Sequence, residues 1–250
     1  MGVRELILVR HGESTANVAA TRAERNGADR VDAPLRDADV PLTETGTRQA
    51  EALAQWLRSL PDERFPDAAL CSPYLRAVDT ASIAVSDQRM PLPPHADERL
   101  RDRELGILDT YTHRGVVSHY PQEDARRTRL GKFYYRPPGG ESWADVALRL
   151  RSLLADLDRD FDGARLLIVA HDAIIMNLRY VCEGLTERHL LELAGDEPVV
   201  NGAVTVLERP SGEGVWSLGV HNSVEHLSGV AAPVTAHTGR DDRLPRRVAE

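Results

Sequence analysis

Two short stretches of the chain, Leu6–Val9 ("LILV") and Leu166–Val169 ("LLIV"), are apolar at every position. A strand that faces water on one side alternates polar and apolar residues, so uninterrupted runs describe strands buried on both faces, with helices above and below the sheet. Each run then meets a histidine, as Arg10-His11 in the first case and Ala170-His171 in the second. A third run, Ala68–Ser72 ("AALCS"), ends at Pro73, with Arg76 a helical turn farther on. Ligands of open parallel sheets bind in the crevice beyond the carboxyl ends of the strands. The three segments therefore predict two imidazoles and two guanidiniums, from Arg10 and Arg76, at one place.

Helical patterns fill the gaps between these strands. Thr43 is the predicted N-cap of a helix whose stripe is Ala50, Leu53, Ala54 and Leu57. Val146, Leu150, Leu153, Leu154 and Leu157 repeat the spacing on a helix beginning near Ser142, and a third is predicted from Asp172, as N-cap, to Gly184. Strands separated by helices of this length imply a layered α/β fold. A chain of 250 residues with 42% hydrophobic content has enough apolar surface for a substantial core. One domain is expected over residues 1–228, with a cap or lid insertion at about 105–140, where basic and aromatic residues and "RPPGG" break the rhythm. Ala203–Glu208 and Val215–Val220 flank the turn signal "RPSGEG" and predict a hairpin; residues 229–250 predict an extended or disordered tail.

The net charge of −8 argues against a nucleic-acid binder. Neither a signal peptide nor an 18-residue apolar run is present, so no membrane association and a cytoplasmic location are expected. Cys71 and Cys182 lack ligand spacing and read as buried thiols. Positive charge must then act locally. The insertion carries Arg126, Arg127 and Arg129, which would suit a cap over an anionic small molecule.

Phosphoryl transfer needs a nucleophile, concentrated positive charge and an acid for the leaving oxygen. A neutral His11 imidazole can attack phosphorus, Arg10 and Arg76 can fork onto its oxygens, and backbone amides around Gly12 can add donors. His171 would serve best protonated, as a donor to the same oxygens. The other histidines show no HExxH-like spacing, so no metal is expected.

The ordered elements "LVRHGESTAN", "LTETGTRQAEAL", "CSPYLRAVDTA", "LRDRELG", "GGES" and "LLIVAH" resemble the signature of the histidine phosphatase superfamily, the phosphoglycerate-mutase-like enzymes, over roughly residues 4–220. The resemblance implies a three-layer sandwich, with a mostly parallel central sheet and helices on both faces, and no metal or other cofactor. It also implies His11 as nucleophile, with Arg10, Arg76 and His171 on the phosphoryl group, joined by Asn17 and a nearby Ser14 hydroxyl. In "LRDRELG" the matching acid is Asp102, with Glu104 two residues on and, in an extended stretch, on the same side. Two positions depart from the family pattern. Ala16 stands where an aromatic is usual, and Asp172 replaces a glycine, placing a carboxylate by the phosphate site unless it caps its own helix.

The expected activity is a phosphomonoester hydrolase acting through phosphohistidine on a small anionic phosphorylated substrate. "FYYRPPGGESWADV" resembles the broad phosphatase branch more than the glycolytic mutases. The alternatives are a cofactor-dependent phosphoglycerate mutase, with Arg126 and Arg127 holding a carboxylate, and a catalytically silent module binding a phosphorylated ligand. A homodimer is compatible with the chain.

Overall fold

The computed structural model describes residues 2–86, 89–90, 93–228 and 232–237. Six strands form one sheet: β1 (Glu5–Arg10), β2 (Ala68–Cys71), β3 (His95–Ala96), β4 (Arg165–Ala170), β5 (Val204–Glu208) and β6 (Ser217–Ser223), in spatial order β3-β2-β4-β1-β5-β6. The first four positions pair in parallel, while β5 and β6 are antiparallel additions on the β1 side. The predicted hairpin is this β5–β6 pair, its second strand running a little later than 215–220.

Around the sheet lie α1 (Thr15–Arg25), α2 (Glu44–Ser59), α3 (Leu75–Ala84), α4 (His113–His119), α5 (Pro121–Leu130), α6 (Trp143–Asp160), α7 (Asp172–Glu183), α8 (Glu187–Asp196) and α9 (Glu225–Ser228). Successive residues of β1 divide between the two faces, as the pleat requires. Leu6 and Leu8 join Leu150 and Leu153 of α6 and Ile174 of α7; Ile7 and Val9 join Leu53 and Leu57 of α2 and Ala77 and Ala81 of α3. Two cores separated by one sheet make three layers. Each fully buried leucine contributes roughly 1.5–3 kcal/mol of transfer free energy, which explains why the runs that announce these strands contain no polar residue.

The helix starts follow local chemistry. Thr43 caps α2 by accepting from Gly46 N at 3.0 Å, and Ser142 caps α6 in a reciprocal box with Asp145. Ser14 and Asn17 form the same box at the start of α1. Gly184 ends α7 in a left-handed conformation at φ 65°, a region open to glycine at little cost. The start of α7 corrects one expectation. Its N-cap is His171, and Asp172 is the first helical residue, its Oδ1 accepting from Val199 N at 3.2 Å. The carboxylate thus anchors a neighbouring loop and faces the positive end of the helix dipole from position N1.

The excursion at 105–140 carries α4 and α5 and closes on itself at its neck, where Ile107 N donates to Pro138 O at 3.0 Å and Glu141 N to Glu104 O at 2.9 Å. Residues 232–237 add a strap that ends beside Arg10. Gln49 Nε2 donates to Pro233 O at 2.7 Å, and Asn201 N donates to Thr235 O at 3.1 Å. The rest of the predicted tail, 229–231 and 238–250, lies outside the described residues.

Candidate active site

Parallel pairing of β1 with β4 sets Arg10 opposite Ala170, so the next residue of each strand, His11 and His171, emerges side by side. His11 N donates to Ala170 O at 2.9 Å, and the two rings meet edge-on with centroids 5.1 Å apart. β2 lies next to β4, so Arg76, early in α3, reaches the same spot. Arg76 Nε approaches His11 Nε2 at 3.3 Å. The two imidazoles and both guanidiniums that the sequence predicts line one pocket, together with Ser14, Asn17, Asp102 and Glu104.

The tautomer of His11 follows from its neighbours. Its Nδ1 lies 2.7 Å from the carbonyl of Gly12, which can only accept, so the proton sits on Nδ1 and the lone pair on Nε2. Burial first, then the charges of Arg76, His171 and Arg10, hold His11 well below the usual histidine range. The ring is therefore neutral, with its Nε2 lone pair turned to the Arg76 guanidinium.

His171 departs from the expectation that it is protonated. Burial, Arg76, Arg10 and Arg149 hold its pKa well down, so it is neutral in the unliganded pocket. Its Nε2 pairs with Ser72 Oγ at 2.8 Å. Asp102 Oδ2 lies 3.3 Å from Nδ1 but out of line, and this buried nitrogen has no hydrogen-bond partner among the described residues. An unmet buried polar nitrogen costs about 1–3 kcal/mol, which a phosphoryl oxygen placed there would relieve once Nδ1 carries a proton. A dianion at that position would also favour protonation of the ring.

Asp102 Oδ2 also sits 3.3 Å from Arg76 Nη2, while Oδ1 accepts from Arg103 N at 2.8 Å. Glu104 points to the same pocket but at its mouth, exposed, with Oε1 accepting from the Tyr74 hydroxyl at 2.8 Å. Asp102 is thus the carboxylate beside both His171 and Arg76. Its loop is held by a residue whose part the sequence did not single out. Glu141, in "GGES", takes Arg101 Nη2 at 2.5 Å and Arg149 Nε at 3.0 Å, and Arg149 Nη2 donates to Asp102 O at 3.2 Å.

Other assignments shift. The amides around Gly12 are engaged in the scaffold: Gly12 N donates to Thr80 Oγ1 at 3.0 Å and Glu13 N to Gln49 Oε1 at 2.8 Å. Gly12 instead permits a close approach, since a Cβ there would lie 2.5 Å from Gly46 O. Ser14 and Asn17 Oδ1 are joined in the α1 cap, and Asn17 Oδ1 also accepts from Asn201 Nδ2 at 3.1 Å. Arg126 and Arg129 do not line the pocket. Three positions apart on α5, they share its outward, exposed face, and Arg126 pairs with Glu123 at 4.0 Å.

Two pocket residues carry no motif in the sequence. Asp37 forks onto Arg76, with Oδ1 to Nη1 and Oδ2 to Nη2 both at 3.2 Å. His237, from the strap, sets its ring between Thr21 Oγ1 at 2.6 Å and Glu13 Oε2 at 3.0 Å, while its carbonyl accepts from Arg10 Nη1 at 3.1 Å. Arg10 Nη1 also donates to Val199 O. No group of three or more His, Cys, Asp or Glu able to hold a metal occurs among the described residues, and none of their helices is long and apolar enough to cross a membrane.

The profile of the histidine phosphatase superfamily (branch 1) matches residues 6–222. The chain belongs to that superfamily. This histidine phosphatase is 33% identical over 194 residues to a 6-phosphofructo-2-kinase/fructose-2,6-bisphosphatase of Caenorhabditis elegans, matching 76% of its own length but only 36% of that protein. It is 32% identical over 193 residues to a 2,3-bisphosphoglycerate-dependent phosphoglycerate mutase of Methylobacterium radiotolerans, covering 76% of the chain and 84% of the relative. A mycobacterial glucosyl-3-phosphoglycerate phosphatase, solved with VO3, superposes with a TM-score of 0.69 at 29% identity, covering 88% of this chain and 99% of that one.

The buried histidines also set how stability follows pH. In the unfolded chain both rings take up a proton below about pH 6.5, whereas in the folded protein His11 and His171 stay neutral there. The unfolded state then binds more protons, so stability is complete above that pH and falls as the solution is acidified toward the folded values. The slope is about 1.4 kcal/mol per pH unit for each proton so linked. Thermal melts between pH 7.5 and 5.5 are expected to show a falling Tm, with inorganic phosphate reducing the fall. A Tm independent of pH over that interval would contradict the neutral assignment.

Proposed function

We propose that this histidine phosphatase hydrolyses phosphomonoesters through a phosphohistidine on His11. The observation that carries this reading is the His11 Nε2 lone pair, fixed by the Gly12 carbonyl, in a water-poor floor beside Arg76. A phosphoryl group placed there meets Arg10, Arg76 and the unmet Nδ1 of His171, cationic or donor groups that stabilise charge on its oxygens. Nε2 attacks phosphorus in line, and the phosphorus–oxygen ester bond breaks. Asp102, entering as the carboxylic acid, gives its proton to the departing alkoxide. The resulting carboxylate then takes a proton from water, which attacks the phosphohistidine and releases phosphate, restoring both residues.

Of the two arginines a mutase would use on a carboxylate, Arg126 turns outward and Arg127 is buried against a separate cavity beside Tyr111 and Tyr135; this supports hydrolysis over mutase action, because a mutase must hold a carboxylate-bearing intermediate while excluding water. An intact nucleophile, its cations and an acid argue for catalysis over silent binding. Rapid quenching during turnover of a 32P-labelled ester should trap label on the protein that is lost in acid and kept in alkali, the signature of a phosphoramidate. Label absent from the wild-type chain while phosphate is released would sink the covalent route.

A further inference from the structure

The charge in the pocket is layered. At the floor, Arg10 and Arg76 are each 4% exposed; Arg103, 9% exposed, stands in the wall shared with a neighbouring cavity. Toward the mouth the charge reverses. Glu104 and Asp109 are exposed, the Asp37 side chain is 38% exposed, and Asp172 is half-buried. With Asp102, the lining holds five carboxylates against three guanidiniums. Protonating Asp102 for its role as acid still leaves four against three, before the phosphoryl dianion itself arrives.

That dianion takes up the positive floor, so whatever is esterified to it meets a rim of net negative charge. We propose, building on the phosphomonoesterase reading above, that the substrate's leaving alcohol carries no anionic group and presents hydrogen-bond donors, hydroxyl or ammonium, to the rim formed by Asp37, Glu104 and Asp109. Among the described residues, Arg103 is the lining cation besides Arg10 and Arg76; it is buried, with its Nε given to Glu141 O at 2.8 Å, and Arg126 and Arg129 lie outside the pocket lining. Asp37 links the two layers. It now occupies the fork of Arg76, and a phosphoryl group that takes over that fork leaves the Asp37 carboxylate facing the rest of the substrate. Glu104 accepts one hydrogen bond, from Tyr74, and a carboxylate can accept about four, so it retains capacity for a substrate donor. The expected substrate therefore loses a compact anion and keeps a neutral or cationic alcohol.

Three ligands of similar size separate the possibilities: glycerol 3-phosphate, phosphoethanolamine and 3-phosphoglycerate, the last adding a carboxylate. Titration calorimetry on the His11→Ala protein at low salt should show the first two binding at least tenfold more tightly than 3-phosphoglycerate. In wild-type protein kcat/KM should follow the same order. The margin should shrink in 0.5 M salt, because an electrostatic rim is screened and a shape mismatch is not. The double substitution Glu104→Gln, Asp109→Asn should narrow it mainly through KM. Phosphoglycerate binding as well as glycerol phosphate, or a margin indifferent to salt, overturns the proposal. Failure of the wild type to release phosphate from any ester would instead sink the phosphatase reading, and the binding order would still decide this one.

Discussion

Replacing His11 with alanine should lower kcat/KM for p-nitrophenyl phosphate by about 10⁴-fold or more, because the covalent route disappears rather than weakens. The buried floor offers no substitute of the same kind. His171 has Nε2 tied to Ser72 at 2.8 Å and Nδ1 at 3.3 Å from Asp102, so neither of its nitrogens takes the place of His11 Nε2 against Arg76. Arg10 and Arg76 remain, and orthovanadate should still bind the variant, since those guanidiniums provide the anion's charge. A variant that keeps its melting temperature and its vanadate affinity but loses turnover would isolate the chemical step. Turnover within tenfold of wild type would rule out His11 as nucleophile.

Asp102→Asn should produce a loss that depends on the leaving group. An alkoxide is a poor leaving group and needs a proton as the ester bond breaks, so alkyl phosphates should slow by roughly 10²–10⁴-fold. Nitrophenolate leaves readily as the anion, so p-nitrophenyl phosphate should lose much less in the phosphorylation step. Glu104→Gln gives the contrast. At the mouth, hydrogen-bonded to Tyr74, Glu104 lies outside the contact that joins Asp102 to His171 and Arg76, and its removal should alter KM more than kcat. Measuring both variants on a series of aryl and alkyl esters checks the assignment. A steep leaving-group dependence in Glu104→Gln and a flat one in Asp102→Asn would exchange the two roles.

Much of this arrangement is legible in the chain because it depends on short-range rules. Continuous apolar runs mark strands buried on both sides, and the residue after such a strand is placed by the sheet, so His11 and His171 converge. Thr43 and Ser142 mark helix starts because a side-chain oxygen must meet an amide within one turn. Other features depend on contacts between distant segments. Gly12 looks like a turn that could offer amides to an anion, but Thr80 and Gln49 arrive from other elements and take up the amides of residues 12 and 13. Asp172 falls one residue inside its helix, so its carboxylate meets Val199 N from the first turn while His171 stands as the N-cap. Arg126 and Arg129 are basic residues in a segment without strong periodicity, and which face of α5 packs inward is decided by the insertion's own neck and core. Asp37 stands in a polar stretch with no pattern to distinguish it, and only the reach of Arg76 gives it a place.

The strap has a consequence for the order in which the protein becomes competent. Arg10 leaves the ribosome 227 residues ahead of His237, yet one of the carbonyls that orients it belongs to that residue, and Gln49 and Asn201 likewise wait for Pro233 and Thr235. The two cores can condense from residues already synthesised, whereas the pocket wall cannot close until the chain has been translated past position 237. A nascent chain halted before that point should carry a formed sheet with an unfinished wall, so binding competence should trail folding during synthesis.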